Sequence, residues 1–288
     1  MTAIPFTKVV GAGNDFIIID ARRRRFPALA RRWPEVARGF CDRHAGIGAD
    51  GLLVLQPSRG ADARMRVFNP DGSEAGMCGN GARCVARYLA AGRGARQAAI
   101  DTAAGRITAS VRGEQVAMRM TDPSELNAEM SVSIGGKPVR LGFVNTGVPH
   151  AVVAVPSVDQ VDVAGLGRAL RSHEAFGPRG TNVNFAEEEG TGQVRLRTFE
   201  RGVEAETLAC GTGAAAAAVI YGLTRMQPTA NGRPAARRVE VRVRSGDRLS
   251  VSFTLTKRPG LKVTDLVLEG PARIVCTGTA AWPPRSRD

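Results

Sequence analysis

The 288-residue chain holds 40 Lys and Arg against 27 Asp and Glu, a formal net charge of +13, with 43% hydrophobic and 23% charged residues. That is enough apolar sequence for a sizeable core. The length suits about two domains of ~150 residues, and no apolar run reaches the ~20 residues a membrane-spanning helix needs. Only four basic residues are lysines and the remaining 36 are arginines scattered along the chain. The densest run, Arg22 to Arg25, has no interleaved aromatics for base stacking, so neither a nucleic-acid partner nor a membrane is expected. Met1 to Lys8 lacks the charged-then-apolar pattern of a secretory signal, which points to a cytoplasmic setting with reduced thiols. Five cysteines without a Cys-x-x-Cys pair argue against a disulfide framework and against a metal cluster.

In chain order, Gly11-Ala12-Gly13-Asn14 reads as a turn before a strand at Asp15–Ile19. The glycines precede the strand and no helix follows at once, so the dinucleotide-binding pattern fails on context. Asn14 is either a turn residue tolerating a left-handed backbone or a side chain aimed into a site. Pro34 suits the start of a helix, and Val36, Ala37, Phe40 and Cys41 make its apolar stripe. Cys41 reads as packing, and His44 as a charge near the helix end. A turn at Gly46–Gly51 enters a strand at Leu52–Leu55. Arg64–Phe68 alternates with period two. Asn69-Pro70-Asp71-Gly72 is a turn, and a helix is expected over Gly81–Ala91 with Cys84 inside it. Strands follow at Arg106–Val111 and Val116–Met120.

Asp122 to Ser131 is the candidate boundary. It divides the chain into an N-terminal half, 1–127, joined by a C-terminal strand over 275–288, and a C-terminal half, 128–274. The second half repeats the plan. Strands are expected near Val139–Val144 and Ala151–Val155, a helix near Leu166–His173, a strand at Asn182–Phe185 and another at Val194–Phe199. A loop over Glu200–Ala209 precedes a helix at Gly213–Arg225 that opens on five alanines. Strands near Val239–Val243, Leu249–Leu255, Asp265–Leu268 and Ala272–Val275 complete the copy, and Trp282–Asp288 reads as a frayed tail.

The repeat centres on two matching stretches, Cys78-Gly79-Asn80-Gly81-Ala82 and Cys210-Gly211-Thr212-Gly213-Ala214, 132 positions apart. A Cys-Gly-x-Gly turn before a helix sets a thiol beside N–H groups that lack intrahelical partners. The helix N-terminus favours thiolate, and the same N–H groups can hold a carboxylate. Two such units facing one carbon would let one thiolate remove an α-proton while the other thiol returns a proton to the opposite face, with the carbanion charge spreading into a clamped carboxylate. No cofactor is required for that chemistry, and Lys8, Lys137, Lys257 and Lys262 all lie outside the motifs. Two alternatives stand beside this reading: core cysteines inherited through duplication, or a redox pair. The glycine-rich surroundings give packing little reason to choose cysteine.

These stretches resemble diaminopimelate epimerases. The resemblance runs in family order through Gly11–Phe16, Arg43–Gly51, Phe68–Ser73, Cys78–Cys84 and Phe199–Gly213. It implies an α+β fold of two pseudo-symmetric domains, each a β-barrel-like sheet around a central helix, with the active site in the cleft between them. It implies a pyridoxal-independent enzyme that interconverts LL- and meso-diaminopimelate, and a homodimer. Cys78 and Cys210 carry over as the acid/base pair, and Gly79-Asn80 and Gly211-Thr212 as the carboxylate clamp. Asn14, Asn69, Asn182, Glu200 and Arg201 match substrate-binding positions, and Arg201 suits the distal carboxylate. His150 and Glu200 match positions that support catalysis, although His150 is equally readable as a strand-start residue. Val148 stands where many relatives have Asn, and Gly51 where some have Gln. The nearest rivals share the fold: proline and hydroxyproline racemases and isomerases related to phenazine synthesis. A non-enzymatic basic binding protein is the rival from another class.

Overall fold

The computed structural model describes residues 2–22, 26–29, 31–225, 234–256 and 261–282. The tail beyond Trp282 and most of the Arg22–Arg25 run fall outside them. The chain divides into two compact units, Met1–Met118 with Pro271–Asp288, and Arg119–Gly270.

In the first unit, β1 (Thr2–Gly11) and β2 (Asn14–Asp20) form a hairpin. Its two-residue loop, Ala12-Gly13, has φ of 53° and 85°, the mirror-image turn whose twist matches that of paired strands. Helix α1 (Trp33–Cys41) carries Pro34 in its first turn, where a missing N–H costs nothing. It buries Trp33, Val36, Ala37, Phe40 and Cys41. It bridges β2 to β3 (Gly51–Gln56), which runs parallel to β2. Next come β4 (Ala63–Phe68), the short β5 (Glu74–Ala75) and helix α2 (Gly79–Ala91). Beyond α2, β6 (Gln97–Thr102) returns parallel to β4, and β7 (Gly105–Arg112) and β8 (Gln115–Arg119) follow antiparallel.

The second unit repeats this plan with different side chains. It has β9 (Ser124–Ile134), β10 (Lys137–Asn145), β11 (Pro149–Ala154) and α3 (Val163–Arg171). It continues with β12 (Asn182–Gly190), β13 (Gln193–Glu200), β14 (Ala205–Thr207) and α4 (Gly211–Arg225). It ends with β15 (Ala235–Arg242), β16 (Arg248–Thr256) and β17 (Lys262–Pro271). Helix α3 connects the parallel pair β11–β12 as α1 connects β2–β3, and α4 connects the parallel pair β13–β15 as α2 connects β4–β6. The last strand, β18 (Arg273–Trp282), belongs to the first unit and pairs antiparallel with β1, in the place that β9 takes beside β10.

Each unit is therefore a mixed sheet curled about one helix. Helix α2 touches β1, β2, β4, β6, β7 and β18, and α4 touches β10, β11, β12, β13, β15 and β16. The apolar residues of α2, Ala82, Cys84, Val85, Ala86 and Leu89, pack among Val9, Phe16, Leu53, Met65, Val67 and Ile100. Fully burying one such Val or Leu contributes roughly 1.5–3 kcal/mol. A second layer lies on the other face of each sheet, around Trp33 and Phe40 of α1 and around Val163 and Leu170 of α3. The alanine run Ala214–Ala218 is no more than 1% exposed, and small side chains let strands approach α4 closely. Gly142 of β10 faces that helix: a Cβ there would lie 2.7, 2.8 and 3.0 Å from three atoms of Ile220.

Several segments differ from the sequence reading. Thr2–Gly11 forms a long strand despite Pro5, because Pro5 lies near the start of β1 and its missing N–H is tolerated there. The candidate boundary carries β9: Leu126, Ala128, Met130, Val132 and Ile134 alternate over its length, a signal masked by Asp122-Pro123. The loop expected over Glu200–Ala209 contains β14, paired with β13. Both central helices begin two residues earlier than their glycines suggested.

Replacing Gly142 by Ala is expected to cost about 1–3 kcal/mol, because the χ1-restricted Ile220 has little freedom to retreat. Urea unfolding that shows no loss of stability would contradict this packing.

Candidate functional site

Each of the two matching cysteines immediately precedes a central helix. The Ala82 N–H donates to the Cys78 carbonyl at 2.8 Å and the Ala214 N–H to the Cys210 carbonyl at 2.9 Å. Those are the first i→i−4 bonds of α2 and α4, so Cys78 and Cys210 both stand at the capping position. Ser, Thr, Asp and Asn usually serve there by accepting from the first turn. Cys78 does so with sulfur: its backbone is extended and its Sγ accepts from the Gly81 N–H at 3.4 Å. The Cys210 Sγ lies 3.4 Å from the Thr212 hydroxyl. Gly79-Asn80 and Gly211-Thr212 occupy the first helical turn, where N–H groups have no helical carbonyl behind them and the helix dipole presents positive charge.

Burial sets Cys78 apart from Cys41 and Cys84. Desolvation pushes the Cys41 and Cys84 thiols up to about 12, so both stay protonated packing groups. Cys78 is half-buried, Cys210 is buried at the foot of α4, and Cys276 is exposed on β18.

In the first unit a polar chain runs beneath Cys78. Arg83, fully buried on α2, donates to Asn80 Oδ1 at 2.7 Å. A guanidinium only donates, so it fixes the Asn80 amide orientation. Asn80 Nδ2 then donates to Asn14 Oδ1 at 2.6 Å, and Asn14 Nδ2 to Asp50 Oδ2 at 3.1 Å. Asn14 is thus the first residue of β2 with its side chain tied to the α2 foot. The left-handed positions are Ala12 and Gly13, which overturns the reading of Asn14 as a left-handed turn residue. Asp50 and Asp15 share Arg43, and Lys8 also binds Asp15. Burial opposes ionisation of Asp15, but its bonds to Arg43 and Lys8 prevail and hold it at about 2. Asn69 is exposed in its turn and donates to the Ser73 hydroxyl at 2.9 Å. At Gly51 an added Cβ would meet the Phe68 carbonyl at 3.1 Å and Phe16 at 3.4 Å, so Phe16 fills the space a larger residue would need.

In the second unit the polar support comes from the sheet. His150, the second residue of β11, is fully buried, and burial followed by repulsion from Arg201 pushes it down to about 3. It is therefore neutral at neutral pH. Asn182, 4% exposed on the adjacent β12, donates to the Pro149 carbonyl and accepts from the Arg201 N–H at 2.9 Å. Burial pushes the Glu200 carboxyl up. Burial and the neighbouring Arg171 and Arg179 lower Arg201, and Arg201 donates to the Gly180 carbonyl at 3.3 Å. Among the described residues no carboxylate forms an ion pair with Arg201, so its guanidinium can take up an anion. The Thr146 hydroxyl donates to the Thr212 carbonyl at 2.9 Å, steadying the first turn of α4.

The structure thus groups Cys78, Gly79, Asn80 and Asn14 in one unit, and Cys210, Thr212, His150, Asn182, Glu200 and Arg201 in the other. Sequence reasoning gave no role to Arg83, to Asp50, or to Asn184, a buried residue of β12 whose Nδ2 lies 3.0 Å from His150 Nδ1. The arginine was hidden inside an apolar helical pattern, and Asn184 inside a strand. Among the described residues no group of three or more His, Cys, Asp or Glu is placed to hold a metal ion, and no helix is long and apolar enough to cross a membrane.

Two outcomes follow from these surroundings. Under limited alkylation of the native protein, peptide mapping is expected to find Cys78 modified before Cys41 and Cys84, and the reverse order would contradict the burial assigned to them. Asp15 is held below its ordinary value of 3.8, so its carboxylate contributes stability above pH ~4 and loses it as pH falls towards about 2. After allowance for partial exposure the contribution is on the order of 1 kcal/mol. Asp15→Asn should lower stability at pH 7 by about that amount and flatten the pH dependence below pH ~4 in chemical denaturation.

The family model described as diaminopimelate epimerase matches residues 6–126 and 142–273. The Aquifex aeolicus diaminopimelate epimerase is 41% identical over 262 residues, covering 86% of this chain and 90% of that protein. The Hydrogenobaculum diaminopimelate epimerase is 38% identical over 288 residues, covering 96% and 98%. Among solved structures, a probable proline racemase from Agrobacterium radiobacter superposes with a TM-score of 0.67 at 18% identity, covering 99% of this chain and 94% of that one. A phenazine biosynthesis protein from Bacillus anthracis gives a TM-score of 0.66 at 20% identity, covering 98% and 100%. These two share the fold alone. With the family model spanning both repeats and both capping cysteines, this chain belongs to the diaminopimelate epimerase family.

Proposed function

We propose that the chain interconverts LL- and meso-2,6-diaminopimelate by a two-base mechanism, and that its active site lies in the cleft between its halves, near 1–127 with 275–288 and 128–274. The observation that carries this reading is the equivalent placement of Cys78 and Cys210 at the caps of two central helices. One sulfur, as thiolate, takes the α-proton. The electron pair left on the α-carbon delocalises into the adjacent carboxylate, held by the first-turn N–H groups of Gly79-Asn80 and Gly211-Thr212. The other sulfur, as thiol, gives its proton to the opposite face, leaving the two sulfurs in exchanged protonation states. No oxidant or reductant is consumed.

Substrate selectivity rests on the far end of the molecule. Arg201, with cationic neighbours and no carboxylate partner among the described residues, takes the distal carboxylate. Asn14, Asn69, Asn182 and Glu200 serve the remaining ammonium and carboxylate groups. His150 supports catalysis from a buried position as a neutral imidazole, and Glu200 from a half-buried one. On this reading the enzyme works in the cytoplasm as a homodimer, without pyridoxal phosphate. Lys8 is engaged by Asp15 and the Gly48 carbonyl, which supports a structural role for it over Schiff-base chemistry.

The test is an assay under reducing conditions with LL-diaminopimelate and free L-proline offered separately. Epimerisation of the first and not the second is expected, and racemisation of proline alone would overturn the substrate assignment. Cys78→Ala and Cys210→Ala should each lower kcat by about 10²–10⁴-fold or more. A variant retaining wild-type kcat would remove its cysteine from the acid/base pair.

A further inference from the structure

We propose that Asn184 is a positioning residue: through its bonds to His150 Nδ1 and the Ala151 carbonyl it fixes the His150 proton on Nε2, so that a buried N–H donor is kept ready at the foot of α4. The proposal deepens the proposed function, since it assigns the state in which His150 supports the chemistry at Cys210.

The geometry decides the tautomer. Asn184 is fully buried on β12. Its Nδ2 lies 3.0 Å from the Ala151 carbonyl, which only accepts, and 3.0 Å from His150 Nδ1. Its Oδ1 accepts from the Thr198 hydroxyl at 3.0 Å. The carbonyl settles which end of the amide is nitrogen, and the hydroxyl, free to donate, suits the oxygen end. The second Nδ2 hydrogen then points to His150 Nδ1, which must accept it. A neutral imidazole that accepts at Nδ1 carries its proton at Nε2.

His150 Nε2 is a buried atom with no hydrogen-bond partner among the described residues. A buried donor without a partner is disfavoured, and such an arrangement in a native fold calls for an explanation. An acceptor that enters with substrate supplies one. The position also fits. A Cβ built on Gly213, in the first turn of α4, would lie 2.4 Å from Asn184 Oδ1 and 3.3 Å from Cys210 Cβ. Asn184 therefore sits directly under the turn that follows Cys210, and Gly213 is required for that close approach. The equivalent residues of the first unit are Phe16 for His150 and, since a Cβ on Gly81 would lie 3.1 Å from it, Leu53 for Asn184; neither carries a polar group, so the pairing belongs to the second cysteine alone.

The chain has three histidines, so long-range ¹H–¹⁵N spectra of the imidazole rings are tractable, and the His150 signals are assigned by their loss in His150→Gln. His173 provides an internal reference: its Nδ1 accepts from the Ala175 N–H, and its Nε2 faces the Ser133 carbonyl, which makes it an Nε2–H ring as well. Wild-type His150 is expected to show the same Nε2–H pattern. Asn184→Asp should move the proton to Nδ1, because a carboxylate accepts there, and should lower kcat at least about tenfold with little change in KM. Thr198→Val removes the hydroxyl but leaves both Nδ2 contacts, and should keep the Nε2–H pattern, which controls for general damage to the fold. A wild-type proton on Nδ1, or the wild-type pattern persisting in Asn184→Asp, would overturn the proposal. If the wild-type protein turns over no diaminopimelate, the epimerase reading fails, while the spectra still decide the role of Asn184.

Discussion

The arrangement depends on one local interaction, a cysteine whose own carbonyl accepts the first hydrogen bond of a helix. That bond places the thiol beside the first-turn N–H groups and in the positive end of the helix dipole. It is made twice, at Cys78 and at Cys210, with nearly equal lengths. A cysteine in the middle of either helix would be a packing group, as Cys84 is, with burial pushing it up to about 12. Six positions along one helix separate the two environments.

The rest of the fold holds those two helix starts still. Each helix is enclosed by strands from its own unit, and its small side chains permit close contact: Ala82 and Ala86 in α2, and the alanine run in α4. The polar support at each foot has a different origin. Beneath Cys78 it comes from the helix itself, where buried Arg83 orients Asn80 and through it Asn14. At the equivalent place in the second copy stands Ala215, and the support comes from the sheet, where Thr198 and the Ala151 carbonyl orient Asn184 against His150. The backbone that places the sulfurs is repeated, while the side chains around them differ. On the proposed reading that asymmetry suits a substrate whose two ends differ during reaction.

Much of the fold was legible because its signals are local. The period-two runs at Arg64–Phe68 and Val194–Phe199, the Pro34 start of α1 and the buried stripe behind it all correspond to elements of the structure. The repeat of Cys-Gly-x-Gly gave the plan of two units. What was hidden is equally physical. The helix starts were placed two residues late because cysteine is not among the usual capping residues and glycine is a poor helix former. The β9 strand was obscured by the Asp122-Pro123 turn signal. Asn14 was ambiguous because asparagine serves turns and sites alike; its bonds to Asn80 and Asp50 tie it to the foot of α2. Asn184 gave no signal at all, since a buried amide inside a strand acquires its role from partners 14 and 34 residues away.

The central claim is that two bases act on opposite faces of one carbon. The most direct measurement follows LL-diaminopimelate through its first turnovers in deuterated water, with product and recovered substrate analysed separately. Two bases predict solvent deuterium at the inverted carbon of the meso product while the recovered LL substrate keeps its protium. A product that retains the original hydrogen, or substrate and product that acquire deuterium at the same rate from the outset, would point to a single base and contradict the account.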